Sequence, residues 1–115
     1  MALIVGSVPS NKNIIACYLN DRQEHVAIIT ESNVARNELP NIGMEGYSLA
    51  NHFYRKEALI KGGGGGGIII LIYDCAPYTK GYDLEGEAKG EMEHCSTTVY
   101  PNNNYEQKLV ITGAF

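Results

Sequence analysis

The chain lacks the features on which several broad functions depend. No run of Lys or Arg exceeds two residues, the tightest pair being Arg55 and Lys56, and the formal net charge over 115 residues is −4. Binding a phosphate backbone needs clustered cations, so this composition is poorly suited to nucleic acid. Cysteine is scarce: Cys17, Cys75 and Cys95 are an odd count, spaced too widely for a CxxC pair or a zinc pattern. Buried free thiols in a reducing compartment are the favoured reading. No Asn-x-Ser/Thr acceptor occurs, and Ala2 to Val5 is too short for a secretory core, with no basic region before it. The apolar run Ile68–Tyr73 is far too short to span a bilayer. The expectation is an intracellular protein, cytoplasmic or nuclear, without membrane association.

What remains is an ordinary globular composition. Hydrophobic residues make up 44% and charged residues 19%, which argues against wholesale disorder. The length suits a single domain, residues 1–115, with one thin core. Its most distinctive stretch is Lys61 to Asp74, KGGGGGGIIILIYD, where six glycines run into an Ile-rich segment. Continuous β-branched residues bounded by breakers read as a strand covered on both faces.

Taken in order, MALIV reads as a buried strand, followed by turn formers from Gly6 to Asn11. Ser10 or Asn11 can cap a helix from Lys12 to about Asp21, with Ile14, Ile15, Tyr18 and Leu19 on its apolar face. Val26 to Thr30 is a second continuous strand, which makes a βαβ-like unit. Val34 to Glu38 can form one helical turn before Pro40. Tyr47 to Tyr54 alternates weakly and reads as a third strand. The segment 55–67 is a long connection ending in glycines, and Pro77 to Gly90 reads as a second exposed connection. Met92 to Tyr100 and Tyr105 to Phe115, separated by Pro101 and three asparagines, form an antiparallel hairpin. The fold class is therefore α/β: a mixed β-sheet of about six strands with one main helix.

Few residues carry chemistry. A phosphate cradle needs glycines that open a helix, whose N-terminal amides bind the anion. Here Gly62 to Gly67 precede a strand and Gly-Lys-Ser/Thr is absent, so the tract reads as a hairpin tip or linker. Glutamates concentrate at Glu85, Glu87, Glu91 and Glu93, which reads as a solvated acidic surface or strand edge. Glu31 ends the apolar strand VAIITE, where open sheets place their sites, and hard cations such as magnesium take carboxylate oxygen. A carboxylate in that position is more often a solvated strand terminus. Asp74 ends the Ile-rich strand and can mirror Glu31, though aspartate there is more often a turn residue. His25, His52 and His94 are scattered and read as structural or surface residues.

The order of these pieces resembles a known family. It runs through a Thr-Glu step (Ile28-Ile29-Thr30-Glu31-Ser32), a Pro-containing loop, Gly46-Tyr47 and Arg55. It continues through a glycine cluster entering GGGIIILIY, a strand carrying Glu93, and a final Leu109-Val110-Ile111. From Asn11 to Phe115 the chain resembles the N-terminal half of the endonuclease/exonuclease/phosphatase superfamily, nearest to the apurinic-like endonuclease of non-LTR retrotransposons. The resemblance implies half of a four-layer α/β sandwich, derived from a magnesium-dependent DNA phosphodiesterase. Glu31 matches the family's metal-binding glutamate, magnesium is the implied cofactor and DNA the implied partner.

The sequence also departs from that family. Leu3-Ile4-Val5-Gly6 has no counterpart of its first-strand Asn, and Phe115 stands near where the family carries an aromatic, usually Tyr. Gly-Asp-x-Asn and Ser-Asp-His motifs do not occur in these residues. The expectation is a single, incomplete endonuclease-like domain, truncated or degenerate and without independent catalysis. Two alternatives stand beside it: a residual metal-dependent phosphodiesterase centred on Glu31, and a small α/β interaction module. Half a sandwich leaves an apolar face or edge open, so a homo-oligomer through a sheet face or edge is expected.

Overall fold

The computed structural model describes residues 1–6, 8–30, 32, 44–53, 67–89, 92–102, 104 and 106–114, but not the side chains of 9, 10, 79–89, 92, 93 and 114. Glu31, the turn expected at Val34 to Glu38, Arg55 and Gly62 to Gly66 lie outside the described residues. The element order is β1 (Ala2–Val5), α1 (Val8–Arg22), β2 (Val26–Thr30), β3 (Tyr47–Phe53), β4 (Ile68–Tyr73), β5 (Tyr78–Lys89), β6 (Met92–Pro101) and β7 (Leu109–Ala114). The strands form two sheets, one ordered β1-β2-β4-β3 and the other β5-β6-β7. The first is mixed, because β1 is parallel to β2 while β4 is antiparallel to both β2 and β3.

Strands β2 and β4 are covered on both faces, which explains why they read as unbroken apolar runs. On one face lie Ala2, Ala27, Ile29, Ile69 and Leu71, packed with Val8, Ile15 and Leu19 of the helix. On the other, Val26, Ile28, Ile68 and Ile70 meet Cys95, Val99 and Ile111 of the second sheet. The result is a helix, a sheet and a second sheet in three layers. β5 lies against β3, β6 against β3 and β4, and β7 against β4 and β2. Stacked that way, β1 overhangs the end of the second sheet.

The helix ends where expected but starts earlier, and its buried face is narrower than expected. It begins at Val8, with Asn11 at non-helical φ −125° and ψ 15°. The regular stretch thus starts at Lys12 as expected, with a further turn before it. Ile15 and Leu19 are buried, whereas Ile14 is 70% and Tyr18 42% exposed. The sequence carries two adjacent i, i+4 stripes and only one can face the sheet. Val8 stands seven residues before Ile15, and its burial selects the stripe that continues through Leu19. Tyr18 instead packs under the Arg22 guanidinium, 4.2 Å from its ring centre. At the C-terminus Gln23 adopts φ 49°, and the amides of Gln23 and Glu24 return to the carbonyls of Asn20 and Leu19, both at 3.3 Å. This is a Schellman motif with glutamine in the position that usually takes glycine.

The second correction concerns Pro77 to Gly90, expected as a connection. Residues Tyr78–Lys89 form β5, antiparallel to β6. Glycine and charge lower its intrinsic strand preference, but an edge strand needs pairing on one side only. Its register slips between Lys80 and Asp83 and between Leu84 and Glu87, at Gly81 and Gly86, where bulges are easily accommodated. Glu85, Glu87 and Glu93 therefore sit on strands, while Glu91 is not described. The expected final hairpin is present as β6 and β7. The cysteines are the third correction: all three are free, but only Cys95 is buried, Cys17 and Cys75 being exposed on the outer side of the helix and in the turn after β4.

Candidate functional site

The place to look is the C-terminal end of β2, one residue before Glu31. Three backbone hydrogen bonds fix the chain there. Gly6 N–H donates to Thr30 O at 3.0 Å, Val8 N–H to Ser32 O at 2.8 Å, and Ser32 N–H to Gly67 O at 3.2 Å. They gather the end of β1, the start of α1, the end of β2 and the entry to β4 into one small cluster. Gly67 has φ +88°, and a Cβ there would stand 3.1 Å from Ser32 Oγ and 3.3 Å from Phe53 O. The last glycine of the tract thus has both a conformational and a steric reason. Beneath the cluster, a Cβ on Gly113 of β7 would lie 2.6 Å from Ile28 Cγ2 and 3.1 Å from Ile68 Cγ2. The second sheet therefore comes close to the first at Ile28 and Ile68.

The donor set there is thin. Thr30 and Ser32 are buried, and among the described residues Thr30 Oγ1 has no hydrogen-bond partner. Magnesium requires hard oxygen, normally with one or two carboxylates. Among the described residues no three of His, Cys, Asp and Glu stand together as a metal-binding group. The described side chains at the end of β2 therefore do not by themselves fit a divalent cation.

The other expected residues are not drawn into this cluster. Asp74 does not mirror Glu31: β4 runs antiparallel to β2, pairing Thr30 with Ile68 and Val26 with Ile72, so Asp74 lies at the opposite end. It is exposed in a turn, accepts a hydrogen bond from Ser48 Oγ, and its amide donates to Gly46 O at 2.8 Å. His25 also lies at that far end, edge-on to Tyr78 with ring centres 5.7 Å apart. His52 and His94 sit on β3 and β6, and among the described residues the histidines form no metal-binding group of three.

Gly46-Tyr47 is an anchor. Tyr47 is buried, and its hydroxyl lies 3.0 Å from the carbonyl of Leu19 and 2.7 Å from that of Glu24, tying β3 to the end of the helix. Burial, and secondarily Tyr73 and Glu24, hold its phenol above the ordinary value of 10.0. Asn51 does comparable work between the sheets, donating from Nδ2 to Ser96 O at 2.5 Å. Sequence reasoning missed both ties. A tyrosine opening a weakly alternating strand and an asparagine within it were the available signals, but their partners lie 23 to 45 residues away.

The fold has close counterparts among solved structures. The chain is similar to the human Nocturnin catalytic domain with bound sulfate anion, with TM-score 0.61 and 12% identity over 92% of this chain and 42% of that one. It is also similar to humanized D. rerio TDP2 carrying 14 mutations, with TM-score 0.55 and 15% identity over 96% of this chain and 48% of that one. Both have folds of the endonuclease/exonuclease/phosphatase type, and this chain has an α/β fragment of that fold. It spans less than half the length of either. No protein-family model matches the chain, and no curated protein matches it in sequence. Among the described residues no helix is long and apolar enough to cross a membrane.

Proposed function

We propose that the chain is a truncated or degenerate half of an endonuclease-like sandwich, without independent catalysis. In this reading it derives from a magnesium-dependent DNA phosphodiesterase akin to the apurinic-like endonuclease of non-LTR retrotransposons. The observation that carries the reading is the lopsided match: nearly all of this chain falls on less than half of each neighbour. Hydrolysis of a phosphodiester needs a general base, a group that orients it and a held metal. Of that set the sequence offers Glu31 alone. The net charge of −4 further disfavours a DNA footprint.

A second reading, a residual metal-dependent phosphodiesterase centred on Glu31, draws support from the hydrogen bonds that pin Thr30 and Ser32 on either side of that residue. Supercoiled plasmid incubated with the chain and magnesium separates the two. The first reading expects no nicking above a buffer blank. Nicking that needs magnesium and disappears in Glu31→Gln establishes the second and overturns the first.

A further inference from the structure

The two flanks of the sandwich end in different ways, and one of them is unfinished. Because β7 lies against β2 and β4, the second sheet stops one strand short of β1. Ala2 and Ile4 of β1 turn toward the helix core. Leu3 and Val5, on the opposite face, look down on the missing strand position and are 73% and 67% exposed. At the Met1 end of that position, beside β7, lies a groove of about 580 Å³, lined by Met1, Gln23, Glu24, His25, Val26, Tyr78 and Leu109 to Thr112, with the Met1 ammonium paired to Glu24 at 2.8 Å. Met1 and Leu109 at its walls are also exposed. Both bordering strands are sheet edges, and neither Ala2–Val5 nor Leu109–Ala114 contains a charged residue. The opposite edge strand β5 carries Lys80, Asp83, Glu85, Glu87 and Lys89 and two register slips, features that discourage pairing.

We propose that this groove binds β1 of a second copy of the chain, giving a closed two-fold dimer. The geometry is self-complementary. A two-fold axis running between the layers on the open flank exchanges the two sheets, so β1 of each copy extends the partner's second sheet alongside β7. The two overhanging strands then stack, and Leu3 and Val5 of one copy meet the same residues of the other, an isologous contact that closes without leaving either edge free. The proposal does not rest on the reading of Glu31 and stands or falls separately from nicking activity.

Sedimentation equilibrium of the 115-residue chain tests it. The expected mass is twice 12.6 kDa at micromolar concentration. The double substitution Leu3→Lys, Val5→Lys is expected to halve that mass while keeping the far-ultraviolet circular dichroism of the folded chain. Ile14→Lys, at an equally exposed position on the helix, is expected to leave the dimer intact. If the double variant loses its fold, Leu109→Lys on the facing strand takes its place and is expected to give the same monomer. A wild-type monomer, open-ended assemblies, a dimer that survives both interface substitutions, or one lost in Ile14→Lys each overturns the proposal.

Discussion

The flank made by β3 and β5 and the flank made by β1 and β7 solve the same problem unequally. Where β3 lies over β5 and β6, Asn51 ties the layers by donating to Ser96 O of β6, and β5 ends its sheet in charge and bulges. Where β1 overhangs β7, the backbone edges are uncharged and the inner side chains Leu3 and Val5 face water. Equal pressure to bury apolar surface acts on both flanks. The difference teaches that the shortfall is local: among the described residues the core between the sheets extends as far as β2, and β1 alone is left uncovered on one face.

Substitutions can break or sharpen this contrast. The largest effect is expected at Ile70, fully buried between the sheets. Ile70→Ala should cost about 2–5 kcal/mol in chemical denaturation, whereas Leu3→Ala on the overhang should change the folding stability of the dilute chain by less than about 0.5 kcal/mol. Gly113→Ala comes next, because its Cβ would press on Ile28 at 2.6 Å. Overpacking of that kind should cost about 1–3 kcal/mol and lower the melting temperature. Tyr47→Phe removes the hydroxyl from the carbonyls of Leu19 and Glu24, for an expected loss of about 1–2 kcal/mol. It should also alter the alkaline limb of the pH profile. The folded state holds the phenol proton more tightly than the unfolded chain, so this contribution is whole below pH 10.0 and is lost as pH rises through the raised value. Melts taken across that range should show a shallower alkaline decline in the phenylalanine variant. The smallest effect is a gain: Gln23→Gly relieves a left-handed backbone at the end of the helix and should stabilise the chain by about 1 kcal/mol.

How much of this was legible in the sequence follows from which interactions are local. β2 and β4 announce themselves because burial on both faces demands unbroken apolar residues. The regular part of α1 announces itself through its period. Its buried face did not, since Ile14/Tyr18 and Ile15/Leu19 fit that period equally well and the choice was made by Val8, outside the expected helix. β5 stayed hidden because its strand character is supplied by pairing with β6 and not by its own residues. The α/β fold shared with the solved neighbours was legible in part through the order of short motifs. One of them changed meaning: Gly46-Tyr47 holds β3 to the helix end, a role fixed by contacts with Leu19 and Glu24 that no local pattern encodes. At the candidate site, sequence pointed to the end of β2, and Gly67 now has a steric reason to be there. Asp74 is the turn residue that a strand-ending aspartate favours, and the antiparallel pairing of β2 and β4 sets it at the opposite end of the sheet from Thr30.

The most direct test of the contrast between the flanks is amide hydrogen exchange across a dilution series, read strand by strand. The outward amides of β1 and β7 should be protected at high concentration and lose that protection on dilution, while those of β5 exchange quickly throughout. Rates on β1 and β7 that match those of β5 at every concentration would contradict it, and the uncharged flank would then be open for some reason other than pairing.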